Sequence, residues 1–341
     1  MFFDRLFASK KSILGVDIGT SSIKIAQITH GKDPVLDTYG IVNIDYQLGA
    51  KDDDAAVRQM AGIFRSLLEK ARVTAKKCVI SFPNSSVFTS VIQLPNMEQD
   101  DLASSVEFEA KKYVPLALSE VDLSWTPIGE SGGPNNSQKV LITAVPKQVT
   151  KNYLKVFELA GLQPKVGEIE ALALIRGLIG NTPANCVIID IGARSTGLNI
   201  IENGFLRLSR NLNIGGDTIT DKIAQSLNIS HFRAEQFKRD FGVSNATFIP
   251  DAIKPVLSII KGEVKQLLAI YQSQNVQLDE VLLVGGGACM PGIVEYFEDI
   301  NIKVELGNPL KSVGYAANLQ PILARYSLSL PIAIGLALRE D

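Results

Sequence analysis

The chain carries one short pattern twice, half a chain apart. ILGVDIGTSSIKIAQI (13–28) and CVIIDIGARSTGLNII (186–201) each run from an apolar segment into Asp-Ile-Gly, turn through small or polar residues and resume an apolar segment. A third β-like run follows each, PVLDTYGIVNI and FLRLSR. Asp17 and Asp190 lie 173 residues apart, about half of the 341 residues. Solenoid repeats recur every ~20–50 residues, so this spacing describes a duplicated domain. Two such units facing each other put two glycine turns and two carboxylates around one cleft. In each hairpin the glycine, Gly19 or Gly192, allows a backbone path that a side chain obstructs, and successive N–H groups can form an anion-binding concavity. Taken singly, either turn serves equally well as a plain chain reversal, because Gly and Ser are ordinary turn residues.

The intervening sequence predicts a mixed α/β order. DDDAAVRQMAGIFRSLLEKARV has helical apolar spacing with acidic residues at its start, and KCVISF reads as a strand, so the first half opens βββαβ. From Asn84 to about Gly161 the pattern changes. SVFTSVIQLP and VLITAVP read as strands, EQDDLASSVEFEAKKYV and KQVTKNYLKVFELAG as helices, and IGESGGPNNSQ as a solvated hairpin loop, which together make a small α/β insertion. EIEALALIRGLIG supplies a helix toward the second half, and NTPAN marks the join. There GGDTITDKIAQSLN and FRAEQFKRDFG read as helices, and a long helix covers about Ile253 to Gln274 with Pro255 in its first turn. EVLLVGGGACMPGIVEYFED repeats strand, glycine turn and helix, and an apolar helix from about Pro331 to Leu338 closes the second domain. Such glycine turns let a ligand approach backbone and aim a helix N-terminus at it; close packing is the other reading of the three glycines.

Composition narrows the chemistry. A chain of 341 residues with 46% hydrophobic content supports two domains. Its 34 basic and 36 acidic residues create no positive field for nucleic acid. Cys78, Cys186 and Cys289 are widely spaced among apolar residues, which suits reduced cytoplasmic thiols better than disulfides or a zinc site. With only His30 and His231, histidine metal sites and triads are disfavoured. Neither GxxxxGK[ST] nor a GxGxxG fingerprint in the first βα unit is present. LSLPIAIGLAL has about half of the ~20 apolar residues a membrane-spanning helix needs. The N-terminal MFFDRLFASKK lacks a secretory signal core, yet places Phe2, Phe3, Leu6 and Phe7 on one helical face near Arg5, Lys10 and Lys11. It reads either as a membrane or partner contact or as an arm packed on its own domain.

In this order, DIGTSSIK, DIGARSTG, NIGGDTITDKIA, AEQFKRDFG and LVGGGACMPG resemble the actin-like ATPase superfamily, particularly its FtsA and type IV pilus assembly PilM families. CVISFPNSSVFTSVIQLPNM, VEFEAKKYVPLALSEVDLSW and FELAGLQPKVGEIEALAL are more similar to PilM. The resemblance implies an α/β actin-like fold: two RNase-H-like domains around a nucleotide cleft, with an FtsA-type 1C insertion. In those terms 1–83 begin subdomain 1A, 84–161 form 1C, and 162–184 hold the connecting helix and the rest of 1A. Residues 185–215 begin 2A, 216–278 form a reduced 2B, and 279–341 complete 2A.

The implied cofactors are ATP or ADP and Mg²⁺. By the resemblance, Gly19, Thr20, Ser21 and Ser22 cradle the β- and γ-phosphates, Gly192 supplies the second phosphate turn, and Lys24 either joins the phosphate site or lines the hairpin. Asp17 and Asp190 hold Mg²⁺ through water, since magnesium gives up its hydration reluctantly. Gly215 and Gly216 bring a turn close to phosphate, and Gly285, Gly286 and Gly287 let backbone lie against the nucleoside. Glu235 and Lys238 match positions that grip ribose and adenine, with a simple i, i+3 ion pair as the alternative. Glu170 aligns with the residue that positions attacking water in actin-like filament proteins, although a carboxylate at a helix start also suits the helix dipole. Slow ATP hydrolysis and nucleotide acting as a conformational ligand both remain open readings.

The family partner is PilN, an inner-membrane protein whose cytoplasmic N-terminal segment inserts between 1A and 1C, in the manner of an extended peptide. Phe108, Tyr113, Val114 and Leu116 are candidates to contact it, with core packing as the competing role. The implied location is cytoplasmic, recruited indirectly to the inner membrane, with other pilus-platform proteins and a homo-oligomer as further contacts. Two alternatives stand beside this. An FtsA-like division or filament protein is expected to carry a C-terminal linker and amphipathic anchor, whereas GLALRED follows the last helix directly. A sugar kinase shares the duplicated fold, but no sugar-binding constellation is evident.

Overall fold

In chain order, the first half forms β1 (Ser12–Ile18), β2 (Ser22–Thr29), β3 (Val35–Asn43), α1 (Asp54–Lys70) and β4 (Lys77–Phe82). The insertion follows as β5 (Phe88–Pro95), α2 (Gln99–Tyr113), β6 (Val121–Gly133) and β7 (Ser137–Pro146). Then come α3 (Lys147–Leu159), β8 (Gln163–Ile169) and α4 (Glu170–Leu178). The second half comprises β9 (Cys186–Ile191), β10 (Thr196–Glu202), β11 (Phe205–Leu212), α5 (Gly216–Leu227), α6 (His231–Phe241) and α7 (Pro250–Ser273). It ends with β12 (Glu280–Val284), α8 (Ile293–Phe297), β13 (Lys303–Leu306), α9 (Gln320–Tyr326) and α10 (Pro331–Ala337). This computed structural model describes residues 11–45, 48–49, 53–133, 137–244 and 250–340; the aromatic positions of the N-terminal arm lie outside them.

The duplication holds strand by strand. One sheet has the order β3-β2-β1-β4-β8 and the other β11-β10-β9-β12-β13, each an antiparallel hairpin pair extended by two parallel strands. Register agrees as well: Asp17 pairs with Lys24 across the first hairpin and Asp190 with Gly197 across the second. The central strands β1 and β9 are covered on both faces, which explains their nearly unbroken apolar runs. In α1, Asp53 caps the helix by accepting from the Ala56 N–H at 2.9 Å, and Val57, Met60, Ala61, Phe64, Leu67 and Leu68 bury one face at helical spacing.

Several expectations shift. The segment 147–159, grouped above with the insertion, is α3, whose Val149, Tyr153, Val156 and Phe157 share a core with Val16, Ile25 and Phe64. The separate layer is therefore the sheet β5-β7-β6 with α2 over it. IGESGG is strand rather than loop, since β6 runs on to Gly133. The connecting segment holds a strand, β8, before α4 begins at Glu170; with a neighbour on one side only, β8 alternates exposed and covered residues and tolerates Pro164. Pro255 lies in the second turn of α7, which starts at Pro250.

The largest difference concerns the last helices. α4 shares a core with Cys186, Ile188 and Leu206 of the second sheet, whereas α10 covers the first: Ala333, Ile334 and Ala337 pack with Ala26 and Ile28. Each unit thus closes on the other, and 331–337 does not complete the second domain. The two helices cross with backbones nearly touching, because a Cβ on Gly335 would come 1.8 Å from the Ala173 carbonyl oxygen and one on Gly177 2.6 Å from that of Pro331. Arg176 and Arg339 fasten this crossing from outside by converging on the buried Glu168 carboxylate. No single described helix is long and apolar enough to cross a membrane; the one bent pair that passes by length and composition, Ala317–Ser329 with Pro331–Ala337, turns through 98°.

Candidate functional site: a charged cleft and an apolar groove

The two Asp-Ile-Gly hairpins fold alike. The Gly19 N–H donates to the Ser22 carbonyl and the Gly192 N–H to that of Ser195, both at 2.9 Å. Neither glycine has a left-handed φ. Their need is for room, since a Cβ would stand 3.3 Å from the Ser22 carbonyl oxygen at Gly19 and 2.9 Å from that of Ser195 at Gly192. Each turn leaves two N–H groups, those of Thr20 and Ser21 and those of Ala193 and Arg194, without an acceptor among the described residues. Adjacent free donors of this kind suit an anion.

Gly215 and Gly216 stand directly behind the second hairpin. The N–H groups of Gly216 and Asp217 donate to the Gly192 and Ala193 carbonyls, at 2.9 and 2.8 Å, so they brace the second hairpin from behind. A Cβ on Gly215 would lie 2.5 Å from the Ala193 carbonyl oxygen.

Three carboxylates and one ammonium gather between the hairpins. Asp17, buried at the end of β1, accepts from Ser81 Oγ and from Lys24 Nζ, both at 2.9 Å. Lys24 thus balances the Asp17 charge across its own hairpin, and a Cβ on Gly19 would stand 3.4 Å from its Nζ. Burial disfavours its charge, but Asp17, Asp190 and Glu170 outweigh that and hold its pKa above the ordinary lysine value. Burial raises the Asp190 carboxyl to about 6, with Lys24 opposing and Asp17 adding to the rise. Burial likewise lifts Glu170 well above the usual carboxylate range, helped by Asp17 and Asp190 and opposed by Lys24 and a hydrogen bond from the Asn84 backbone. The second hairpin has Gly197 where the first has Lys24, so one cation serves two aspartates.

Glycines and an ion pair complete the rim. Gly285 has φ +87°, and a Cβ there would come 2.3 Å from Asp190 Oδ1; one on Gly287 would come 2.3 Å from Ile191 Cγ2. Both are close-packing positions, whereas Gly286 faces open space. They lead into a 3-10 turn, Gly286–Cys289, rather than directly into an α-helix. Glu235 and Lys238 pair at 2.6 Å, and Lys238 Nζ also donates to the Gly216 carbonyl at 3.0 Å and to Thr220 Oγ1 at 2.9 Å. Burial would raise the Glu235 carboxyl, but Lys238, Thr220 and Arg239 hold it below its ordinary value. The pair is tied to the first turn of α5, beside the bracing glycines.

This donor set fits a phosphate ligand that brings its own cation. No group of three His, Cys, Asp or Glu side chains among the described residues could hold a metal ion. Asp190 has no hydrogen-bonding or ion-pair partner within 4 Å among them. An excess of carboxylate over ammonium, beside free N–H groups, suits a hydrated cation carried on phosphates better than a metal bound by the protein alone.

A second concavity, of about 620 Å³, opens where the insertion meets the first domain. Leu48, Gly49 and Val149 line one side, Phe88, Val114, Leu116 and Val121 the other, and Ser85, Ser86 and Val87 lie between. Of the four residues expected to meet a partner, Val114 and Leu116 line this groove, Val114 with only 7% exposure and Leu116 with 44%. Phe108 and Tyr113 are exposed but lie outside its lining, and the Phe108 ring lies under Lys112 Nζ. Ser81, Asn84 and the 85–88 stretch were not legible as functional; the PNSS turn after KCVISF is the signal that marks them.

Known proteins share this architecture. The "PilM-PilN type IV pilus biogenesis complex" superposes with a TM-score of 0.86 at 26% identity, covering 97% of this chain and 98% of that one. MreB5 of Spiroplasma citri bound to ADP, at 16% identity and TM-score 0.52, shares the fold over 95% of this chain and 94% of its own. The cell division protein FtsA of Streptococcus pneumoniae serotype 2 (strain D39) is 25% identical over 86% of this chain and 75% of that protein. The family described as type IV pilus assembly protein PilM matches residues 15–341, and to that family this chain belongs.

Proposed function

We propose that the chain binds a magnesium nucleotide in the cleft and the cytoplasmic N-terminal segment of a PilN-type partner in the groove, as the cytoplasmic ATP-binding component of a type IV pilus assembly platform. The observation that carries the partner reading is the groove: an apolar channel between two packing units, with Leu116 half-exposed at its wall. An extended segment there gains roughly 1.5–3 kcal/mol for each Leu- or Phe-sized side chain it buries. Recruitment to the inner membrane then follows from the partner.

In the cleft, the free N–H groups of Thr20, Ser21, Ala193 and Arg194 contact phosphate oxygens from two sides. Asp17 and Asp190 orient the water shell of the cation, and Lys24 balances the charge of Asp17 across the first hairpin. A bound magnesium ion supplies charge neutralisation at the phosphates. Gly286 leaves space against the nucleoside, and the Glu235–Lys238 pair stands at the sugar end. Glu170, whose carboxyl burial lifts well above the usual carboxylate range, orients a water there.

Calorimetric titration of the full chain with Mg-ATP, and separately with the partner's N-terminal peptide against a scrambled peptide, tests the assignment. Saturable binding of Mg-ATP and of the native-order peptide alone is expected. Equal binding of both peptides removes the partner reading, and failure to bind nucleotide removes the cleft reading.

A further inference from the structure

The two hairpins differ at one matched position. In the first, Lys24 reaches back across the turn and gives Asp17 a partner at 2.9 Å. In the second, Gly197 stands opposite Asp190 and contributes no side chain. The space over Gly197 is bounded by polar side chains. A Cβ there would stand 3.4 Å from Asn84 Nδ2, 3.6 Å from Asn199 Nδ2 and 3.9 Å from the Asp190 Cβ. Asn199 has no exposed surface, and its Nδ2 has no hydrogen-bond partner among the described residues. The other end of that amide is engaged, because Asn199 Oδ1 accepts from Ser209 Oγ at 2.8 Å. Asn211 pairs with Gly197 across β10 and β11 and lies on the same face of the sheet as Ser209 and Asn199; its Oδ1 is also buried without a partner among those residues. Two amide donors, one amide acceptor and a carboxylate therefore meet around a methyl-sized space. Buried polar groups are rarely left unpaired, and a space with two to four polar partners is what a trapped water needs.

We infer that a trapped water lies over Gly197, accepting from Asn84 Nδ2 and Asn199 Nδ2 and donating to Asp190, so that it gives the second aspartate the hydrogen bond that Lys24 gives the first. Asn211 Oδ1 takes its other proton. Two amide nitrogens turned toward the space suit an oxygen that accepts from them better than a cation. Asn84 and Asn199 are thus positioning residues, which aim the Asp190 carboxylate through the water. The water also ties the two halves of the chain, since Asn84 lies between β4 and β5 while Asn199, Asn211 and Asp190 belong to the second sheet. The exchange of partner changes the charge: Asp17 is balanced by an ammonium, whereas Asp190 is held by neutral groups and keeps its charge for the cleft.

The test uses the nucleotide-free full chain, so its outcome does not depend on the two-ligand function proposed above. Gly197→Ala puts a methyl at the water's place without a clash, since the nearest of the surrounding groups would be 3.4 Å away and the backbone has no left-handed φ there. In a dry space that methyl fills room and restricts the unfolded chain, so the variant would gain stability. Over a water it strands the Asn199 amide, and the folding equilibrium constant in urea denaturation should fall on the order of fivefold or more. Gly197→Ser carries a hydroxyl that takes over the water's bonds and should recover to within about twofold of the parent. A crystal structure of the nucleotide-free parent should show one water within hydrogen-bonding reach of Asn84 Nδ2 and Asn199 Nδ2. A dry space or a metal ion over Gly197 in the parent, a Gly197→Ala protein at least as stable as the parent, or a Gly197→Ser protein no better than Gly197→Ala overturns the inference.

Discussion

Replacing Asp190 by Asn should stabilise the nucleotide-free protein while removing its magnesium-nucleotide binding. Burial, with Lys24 opposing and Asp17 adding, holds the Asp190 carboxyl at about 6, against an ordinary 3.8. At pH 7.5 the group is ionised in both the folded and the unfolded chain, and the folded chain bears the difference, about 3 kcal/mol at 1.36 kcal/mol per pKa unit. The sign follows from the raised value: the cost is absent below about pH 3, where the carboxyl is protonated in both states, and grows as pH rises toward and through 6. At pH 5 roughly half of it, about 1.6 kcal/mol, applies. An isosteric Asn cannot ionise, so Asp190→Asn should gain up to about 3 kcal/mol at pH 7.5 and about half of that at pH 5. Urea denaturation of parent and variant at both pH values, without nucleotide or magnesium, measures the gain. A variant no more stable than the parent at pH 7.5, or a gain that does not shrink at pH 5, refutes the electrostatic account of the cleft.

The matching change in the first hairpin has the opposite sign. Asp17→Ala leaves Lys24 without its 2.9 Å partner and should cost about 3 kcal/mol in urea denaturation, besides weakening Mg-ATP binding in calorimetry. Gly335→Ala puts a methyl 1.8 Å from the Ala173 carbonyl oxygen, and thermal melts should show the α4–α10 crossing destabilised by about 3 kcal/mol. The Tyr153 hydroxyl is buried without a hydrogen-bond partner among the described residues, so Tyr153→Phe should be neutral or stabilising by up to about 1 kcal/mol in the same urea assay.

What the sequence made legible was local. The two Asp-Ile-Gly hairpins could be read because a buried central strand writes itself as an apolar run and a tight turn demands small residues. The Lys24 ammonium lies between the Asp17, Asp190 and Glu170 carboxylates, which the spacing of the two hairpins alone does not reveal. Which sheet a helix covers is not written in its periodicity: α3 and α10 show apolar faces without naming the sheet they meet, and α10 crosses back to the first. β8 escaped notice because an edge strand carrying Lys165 and Pro164 lacks the signature of a central one. That Gly216 and Asp217 hydrogen-bond the second hairpin from behind is a tertiary contact that the sequence of the NIGG turn does not display. Val114 and Phe108 were indistinguishable as apolar residues in one helical segment; only packing separates the groove-lining Val114 from the outward Phe108.

Recruitment by a partner depends on a segment lying in the channel between the insertion and the first domain. Leu116, at 44% exposure on that channel's wall, can be changed with little effect on the core, and Phe108, at 64% exposure, gives an equally apolar control outside it. Calorimetric titration of the PilN-type N-terminal peptide into the parent, Leu116→Asp and Phe108→Ser is the direct test. Leu116→Asp should lower peptide affinity on the order of tenfold or more, for a lost apolar contact and a buried charge, while Phe108→Ser should bind like the parent. Parental affinity in Leu116→Asp, or a loss confined to Phe108→Ser, would place the segment elsewhere and contradict the claim.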